Sequence, residues 1–122
     1  MDGWWKKNPF FVEYVIHEST ALFVLAYAVT LLIGLVRLSQ GQAAWEGWLA
    51  AMQSPMAVVF HLVLLAAIAY HTYTWFKIMP ITLPPIKVGG EKLSPCAIIT
   101  GGLTAAVVAG LGLIVLVWRI AA

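Results

Sequence analysis

Three ionisable side chains stand at or inside long apolar runs of this sequence. Glu18 and His17 lie side by side at the start of the first run, and His71 lies inside the second. In a chain that enters a membrane from one side, helix one begins at the face where helix two ends, so Glu18 and His71 can approach each other. Ionisable groups inside a membrane usually mark function. The pattern predicts a proton-handling site within a membrane bundle.

Glu18 is the candidate proton acceptor of this site. A carboxyl group withdrawn from water becomes a competent general base near neutral pH. That chemistry suits removal of a proton from a quinol. The alternative interpretation is that Glu18 lies among the lipid headgroups, or stabilises the positive end of the first helix.

His71 and Trp75 are four positions apart and therefore share a helix face, with two N–H-bearing rings pointing in one direction. A quinone carbonyl could accept a hydrogen bond from either. Ala21, one turn after Glu18, would leave room for a ring. The alternatives are an interfacial anchor for Trp75, a backbone-bonded histidine for His71 and simple packing for Ala21.

The composition indicates a membrane protein. Of 122 residues, 62% are hydrophobic and 10% are charged, against about 25% charged in a typical soluble domain. Stretches of 18, 30 and 26 residues contain no Asp, Glu, Lys or Arg, and each can hold the roughly 20 residues that cross a bilayer as a helix. The net charge of +2 is too small to suggest nucleic-acid binding.

We expect an all-α membrane protein with three transmembrane helices near 17–38, 55–78 and 96–119. An amphipathic segment over residues 3–16 should precede them, and the whole chain, 1–122, should form one membrane-anchor domain. The connection after helix two contains four prolines and a Gly-Gly pair, counting the proline before helix three, and should lie outside the membrane.

The basic residues predict the orientation. Five fall on the side of the N-terminus and two on the other, which favours a cytoplasmic N-terminus and a C-terminus on the opposite side. The five are Lys6, Lys7, Lys77, Lys87 and Lys92, and the two are Arg37 and Arg119.

Small residues repeat every four positions in helices one and three, which allows close approach of helices. They are Ala26, Thr30 and Gly34, and Gly102, Ala106 and Gly110. The stripes fit packing within this unit or docking against a second membrane protein. Three helices can hardly surround a large ligand, so we expect such a partner.

His61 raises the question of a haem. It lies ten residues before His71, about 15 Å along the helix and rotated by roughly 80°, so the two cannot ligate one iron. A haem on His61 would need a histidine from another chain, and a buried, hydrogen-bonded histidine is the other interpretation. Cys96 is the only cysteine, so this chain alone cannot build an iron-sulfur cluster.

Three ordered sequence blocks resemble the C-type membrane anchors of the quinol:fumarate reductases. They are WWKKNPF from Trp4, ESTA from Glu18 and HTYTWF from His71. The resemblance covers nearly the whole chain, although the third helix matches only in general character.

The resemblance implies a complex of four parts: an FAD-containing flavoprotein that reduces fumarate, an iron-sulfur protein, and two small anchors, of C type and D type, in a bacterial inner membrane. This chain would be a non-catalytic anchor with a periplasmic C-terminus, and electrons would enter as menaquinol. Glu18 matches the acid that accepts quinol protons, and His71 and Trp75 match residues near the quinone. With His17 and Ala21 they form the expected quinone site, and no haem is expected.

Two departures from the family pattern keep alternatives open. His17 stands where the family can carry arginine, so a positive charge beside the quinol would depend on pH. His61 adds a histidine that haem-free members do not need, which leaves a haem b-binding anchor of a succinate:quinone oxidoreductase as the alternative. The third alternative is a structural or transport protein that binds no redox cofactor. The physiological direction depends on the quinone and on the partners' cofactors.

Overall fold

Three long apolar helices dominate the computed structural model, which describes residues 2–121 without the side chain of Trp5. Each is long and apolar enough to cross a membrane, which confirms the predicted fold class. The elements in chain order are a 3-10 helix Trp4–Lys6, then α1 Pro9–Ser39, α2 Gln42–Met52, α3 Pro55–Thr82, β1 Lys87–Val88, β2 Glu91–Lys92 and α4 Pro95–Ala121.

α1 begins at Pro9, eight residues before the predicted start at 17. Asn8 is extended and its side chain accepts a hydrogen bond from the Phe10 amide at 3.0 Å, and Pro9 occupies the first helical position. Both residues are strong helix-start signals. The segment predicted over 3–16 is therefore a short 3-10 turn followed by the first two turns of α1, with Trp4 edge-on to Phe11.

α2 is a short helix between the helices predicted near 17–38 and 55–78, where no element was predicted. Its rings Trp45 and Trp48 stack at 5.0 Å, and Trp48 covers Gly34 of α1. A β-carbon added at Gly34 would lie 2.7 Å from the Trp48 ring, which is closer than van der Waals contact. Only glycine therefore allows this contact between α1 and α2.

α3 continues beyond the predicted end at 78 and contains Pro80. Proline at this position lacks the backbone N–H that a helical residue donates to the carbonyl four residues earlier. The helix ends at Thr82, where the Leu83 amide donates to the carbonyl of Met79.

A hairpin with strands of two residues each follows α3, in the connection that was expected to lie outside the membrane. Lys87 pairs with Lys92 and Val88 with Glu91. Gly89 and Gly90 form the turn with φ of 61° and 90°, the left-handed conformations that a tight hairpin turn requires.

The chain divides into two compact units, Met1–His71 and Thr72–Ala122. In the first unit the buried side chains include Leu64, which is 2% exposed, together with His17 and Thr20. Thr74 is buried in the second unit. No residue of α4, Pro95–Ala121, is buried, and most of its residues are exposed.

Candidate functional site

A polar cluster joins α1 to α3 within the first unit. The imidazole rings of His17 and His71 lie parallel, with centroids 4.6 Å apart and 10° between their planes. His17 is buried and His71 is half-buried. His17 is thus shielded by its own chain more completely than His71 is.

Thr20 links the two histidines from one turn further along α1. Its Oγ1 lies 2.6 Å from the carbonyl oxygen of His17 and 2.9 Å from Nδ1 of His71. Thr20 is 8% exposed, so these contacts are largely removed from water. The cluster therefore has a hydroxyl group that contacts both helices.

A regular face of α1 positions these residues. His17 and Thr20 are separated by three positions and Tyr27 follows seven later, a spacing that keeps all three on one side of a helix. Tyr27 meets His61 edge-on at 6.0 Å. Because residue 17 meets residue 71 and residue 27 meets residue 61, the two helices run antiparallel, as the sequence predicted.

Glu18 lies outside this cluster. It follows His17 by one residue, a rotation of about 100°, and its side chain is exposed, as is Ala21. The structure thus brings His17, rather than Glu18, against His71. The role of Glu18 as a proton acceptor stays a prediction, and its exposure leaves it accessible to a ligand or to another protein.

Trp75 follows His71 by one turn of α3 and belongs to the second unit. Its side chain is 52% exposed, so its ring is accessible. Its predicted role beside a quinone stays a prediction.

His61 is held by its own helix. Its Nδ1 lies 2.7 Å from the carbonyl oxygen of Ala57, and since a carbonyl only accepts, Nδ1 carries the proton. The lone pair of the neutral ring is then on Nε2. Among residues 2–121 no three His, Cys, Asp or Glu side chains form a metal-binding group.

The small residues of the two stripes have different surroundings. Gly34 contacts Trp48, and Gly102 contacts Phe76 within the second unit, where an added β-carbon would lie 2.5 Å from the ring. An added β-carbon at Gly110 would meet nothing within 4 Å. Two of these glycines therefore serve packing inside the chain, while Gly110 lies on an open surface.

Thr20 is the site residue that sequence reasoning missed. It was part of the ESTA block, but no role was assigned to it. The available signal was a hydroxyl residue one turn after a histidine in an otherwise apolar helix. Such a residue can form a hydrogen bond with the side chain of the facing helix that the histidine also contacts.

Taken together, three apolar helices and a buried histidine-threonine cluster define a small multi-pass membrane protein with a polar site between its helices. The chain belongs to the fumarate reductase C-subunit family, whose family model matches residues 1–118.

Curated relatives carry the same family name. The chain is 38% identical to the fumarate reductase C-subunit of Klebsiella pneumoniae over 98 residues, which cover 80% of this chain and 74% of the relative. It is 37% identical to that of Aliivibrio fischeri over 114 residues, or 93% of this chain and 87% of the relative. The C-subunit of Citrobacter koseri is 39% identical over 98 residues, 80% of this chain and 74% of the relative.

Proposed function

We propose that this chain is a membrane anchor of a quinol:fumarate reductase and supplies part of its menaquinol oxidation site. The observation that carries the proposal is the family match over residues 1–118 of a chain with three membrane-spanning helices. The chain holds the soluble proteins of the complex at the membrane and does not itself reduce fumarate.

The partners are a flavoprotein, an iron-sulfur protein and a second small anchor of D type. The relatives are named as one of several subunits of a fumarate reductase, which implies such partners. α4 supports the second anchor, because no residue within Pro95–Ala121 is buried and the helix is exposed along most of its length. FAD and the iron-sulfur clusters belong to the partners.

The complex lies in the bacterial inner membrane with the N-terminus of this chain in the cytoplasm and its C-terminus in the periplasm. Five lysines fall on the side of the N-terminus and two arginines on the other side, which supports this orientation. It puts the start of α1 on the cytoplasmic side, where the soluble proteins dock.

Menaquinol oxidation releases two electrons and two protons. The Glu18 carboxylate is exposed and acts as general base towards a quinol hydroxyl. The rings of His71 and Trp75 offer N–H groups to the quinol oxygens, and the exposed Ala21 leaves room for the quinol ring. Electrons pass to the iron-sulfur protein, and fumarate is reduced on the flavoprotein.

His17 gives this site a positive charge only when its imidazole ring is protonated. A protonated imidazole stacked on His71 places positive charge beside the developing quinol anion, and a neutral one does not. An arginine at this position would carry its charge permanently.

The experiment that tests the function is the substitution Glu18→Gln in the complex purified from its membrane. Glutamine keeps the size of the side chain and cannot accept the proton. We expect menaquinol-dependent fumarate reduction to fall by about 100-fold, the low end of general base catalysis. Fumarate reduction from an artificial electron donor, which bypasses the quinol, should be unchanged.

The purification itself provides the control. A tagged chain should bring flavin and iron-sulfur absorbance without a sharp Soret band. A Soret band lost in His61→Ala would replace the proposal with the haem-binding anchor, and a chain that brings no redox protein would refute both. Wild-type quinol activity in Glu18→Gln would refute the role of Glu18.

A further inference from the structure

The connection between α3 and α4 forms a pocket of about 430 Å³ within the second unit, Thr72–Ala122. A volume of about 300–1,000 Å³ is usual for sites that bind small molecules. Eight of the ten lining residues are prolines, leucines or isoleucines, and the two polar ones are Lys92 and Ser94. The pocket is therefore apolar, with a cationic side chain in its wall.

Backbone constraints hold the wall of this pocket in shape. Four of the lining residues are prolines, whose rings fix the φ angle, namely Pro80, Pro84, Pro85 and Pro95. The Leu93 amide donates to the Ile86 carbonyl at 2.9 Å. The Ala97 amide donates to Ser94 Oγ at 3.2 Å, where α4 begins. A pocket that is formed before its ligand arrives loses little conformational freedom on binding.

The lengths of the helices place the pocket at the level of the lipid headgroups. α3 has 28 residues and α4 has 27, which gives about 42 Å and about 40 Å at 1.5 Å per residue. The hydrocarbon core of a bilayer is about 30 Å thick. α3 ends at Thr82 and α4 begins at Pro95, so these two ends, and the pocket beside them, extend beyond the hydrocarbon core.

Two lysines lie side by side on the hairpin that borders the pocket. Lys87 and Lys92 are cross-strand partners, so their β-carbons are about 5 Å apart. Both are exposed, and within residues 2–121 the structure records no ion pair to either of them. Glu91 pairs with Val88, one position nearer the turn, and successive side chains of a strand point to opposite faces. The lysine face of the hairpin therefore attracts an anion.

We propose that this pocket binds one anionic phospholipid, whose phosphate lies against Lys92 and Lys87 and whose glycerol and first methylene groups contact the apolar wall. Charge complementarity and depth in the membrane support this ligand, because a phospholipid carries its negative charge beside its apolar part. Basic side chains next to membrane helices attract anionic headgroups. A free phosphate or an acidic peptide would pair with the lysines and leave the apolar wall in water. The inference goes beyond the quinol site and does not depend on it.

The test is lipid competition on the full chain, purified in mild detergent with the proteins that accompany it. Equal amounts of phosphatidylglycerol and phosphatidylcholine are added, and mass spectrometry of the intact assembly counts the lipids retained. We expect a preference for phosphatidylglycerol. Lys92→Gln should lower this preference about fivefold and Lys87→Gln combined with Lys92→Gln about 25-fold, since each basic residue near an anionic membrane surface contributes about a factor of five. Equal retention of the two lipids by the wild type would overturn the proposal.

Matched variants separate this pocket from general surface charge. Lys6→Gln combined with Lys7→Gln removes the same charge from another segment predicted on the same side of the membrane, and should leave the preference unchanged. Ile98→Trp fills the pocket with both hairpin lysines in place and should lower phosphatidylglycerol retention at least fivefold. Ile120→Trp adds the same ring at a position of α4 that is 78% exposed and should not. Equal losses in the two lysine pairs, or in the two tryptophan variants, would overturn the site.

Soluble competitors distinguish a lipid from a free anion. Inorganic phosphate and glycerol phosphate carry the charge without an acyl chain, so neither should displace phosphatidylglycerol. Displacement by either one would assign the lysines to a free phosphate and overturn the proposal. Loss of an accompanying protein from the variant with both hairpin lysines replaced, at unchanged lipid preference, would assign them to that protein and also overturn it.

A measurement on the wild type alone covers variants that do not fold. Phosphatidylglycerol should raise the temperature of thermal unfolding in detergent more than phosphatidylcholine does, because a ligand that binds only the folded state stabilises it. Equal unfolding temperatures with the two lipids would contradict a site for the anionic headgroup.

Discussion

The two ends of α1 contact the rest of the first unit in different ways. Near the N-terminal end, His17 and Thr20 meet His71 through ring stacking and a hydrogen bond. Near the C-terminal end, Gly34 meets the Trp48 ring by close apolar packing. Both contacts use buried positions of the same helix. One end is thus joined to its neighbour by apolar packing and the other by a polar contact, and substitutions at the two ends should have different effects.

The largest effect is expected at the glycine end. Gly34→Leu places a side chain where an added β-carbon already lies 2.7 Å from Trp48, so the free energy of unfolding should fall by about 3 kcal/mol, near the top of the usual cost of overpacking. Unfolding in mixed detergent micelles measures it. Gly47→Leu is the matched control, because an added β-carbon there meets nothing within 4 Å. Equal losses in the two variants would refute the packing contact.

A smaller loss is expected at the histidine end. Thr20→Val removes the hydroxyl that lies 2.9 Å from His71 Nδ1, and a polar group that loses its hydrogen-bond partner away from water costs about 1–3 kcal/mol. Thr30→Val loses a bond only to a carbonyl of its own helix and should cost a few tenths of a kcal/mol. The same micelle assay compares the two. A loss in Thr30→Val as large as in Thr20→Val would show that the bridge adds nothing.

The smallest effect is expected at the exposed start of α1. Asn8→Ala removes the acceptor of the Phe10 amide, and a lost N-cap costs about 1 kcal/mol. The loss should be local, so hydrogen exchange of the Phe10 amide should quicken while the nuclear magnetic resonance signals of the His17 and His71 rings stay unchanged. Asn8→Ser, which retains a capping oxygen, is the control. A change in the histidine signals would show that the cap and the polar cluster are coupled.

The transmembrane elements could be predicted from sequence because apolar length dominates their signal. The start of α1 was missed because apolar length does not mark a helix end, although Asn8 and Pro9 carried the capping signal. α2 was missed because an 11-residue helix between two spans has no comparable apolar run. The Gly89-Gly90 pair was read as a break, whereas the flanking residues pair as strands.

Which residues of α1 and α3 lie at the same level could be predicted from sequence, but which side of α1 faces α3 could not. Antiparallel packing places an early residue of α1 beside a late residue of α3, and His17 does contact His71. Which side of α1 faces α3 depends on side-chain packing, since a helix that is apolar all round gives no directional signal. His17 therefore faces His71, and Glu18 is exposed.

The hairpin after α3 sets two lysines, Lys87 and Lys92, opposite each other on strands of two residues. Like charges in this arrangement destabilise a strand pair, and dissolved salt screens exposed charges over about 8 Å at an ionic strength of 0.15 M. Salt therefore strengthens this hairpin, whereas it weakens hairpins held by opposite charges. We therefore expect the connection between α3 and α4 to open more readily in dilute buffer than at physiological ionic strength.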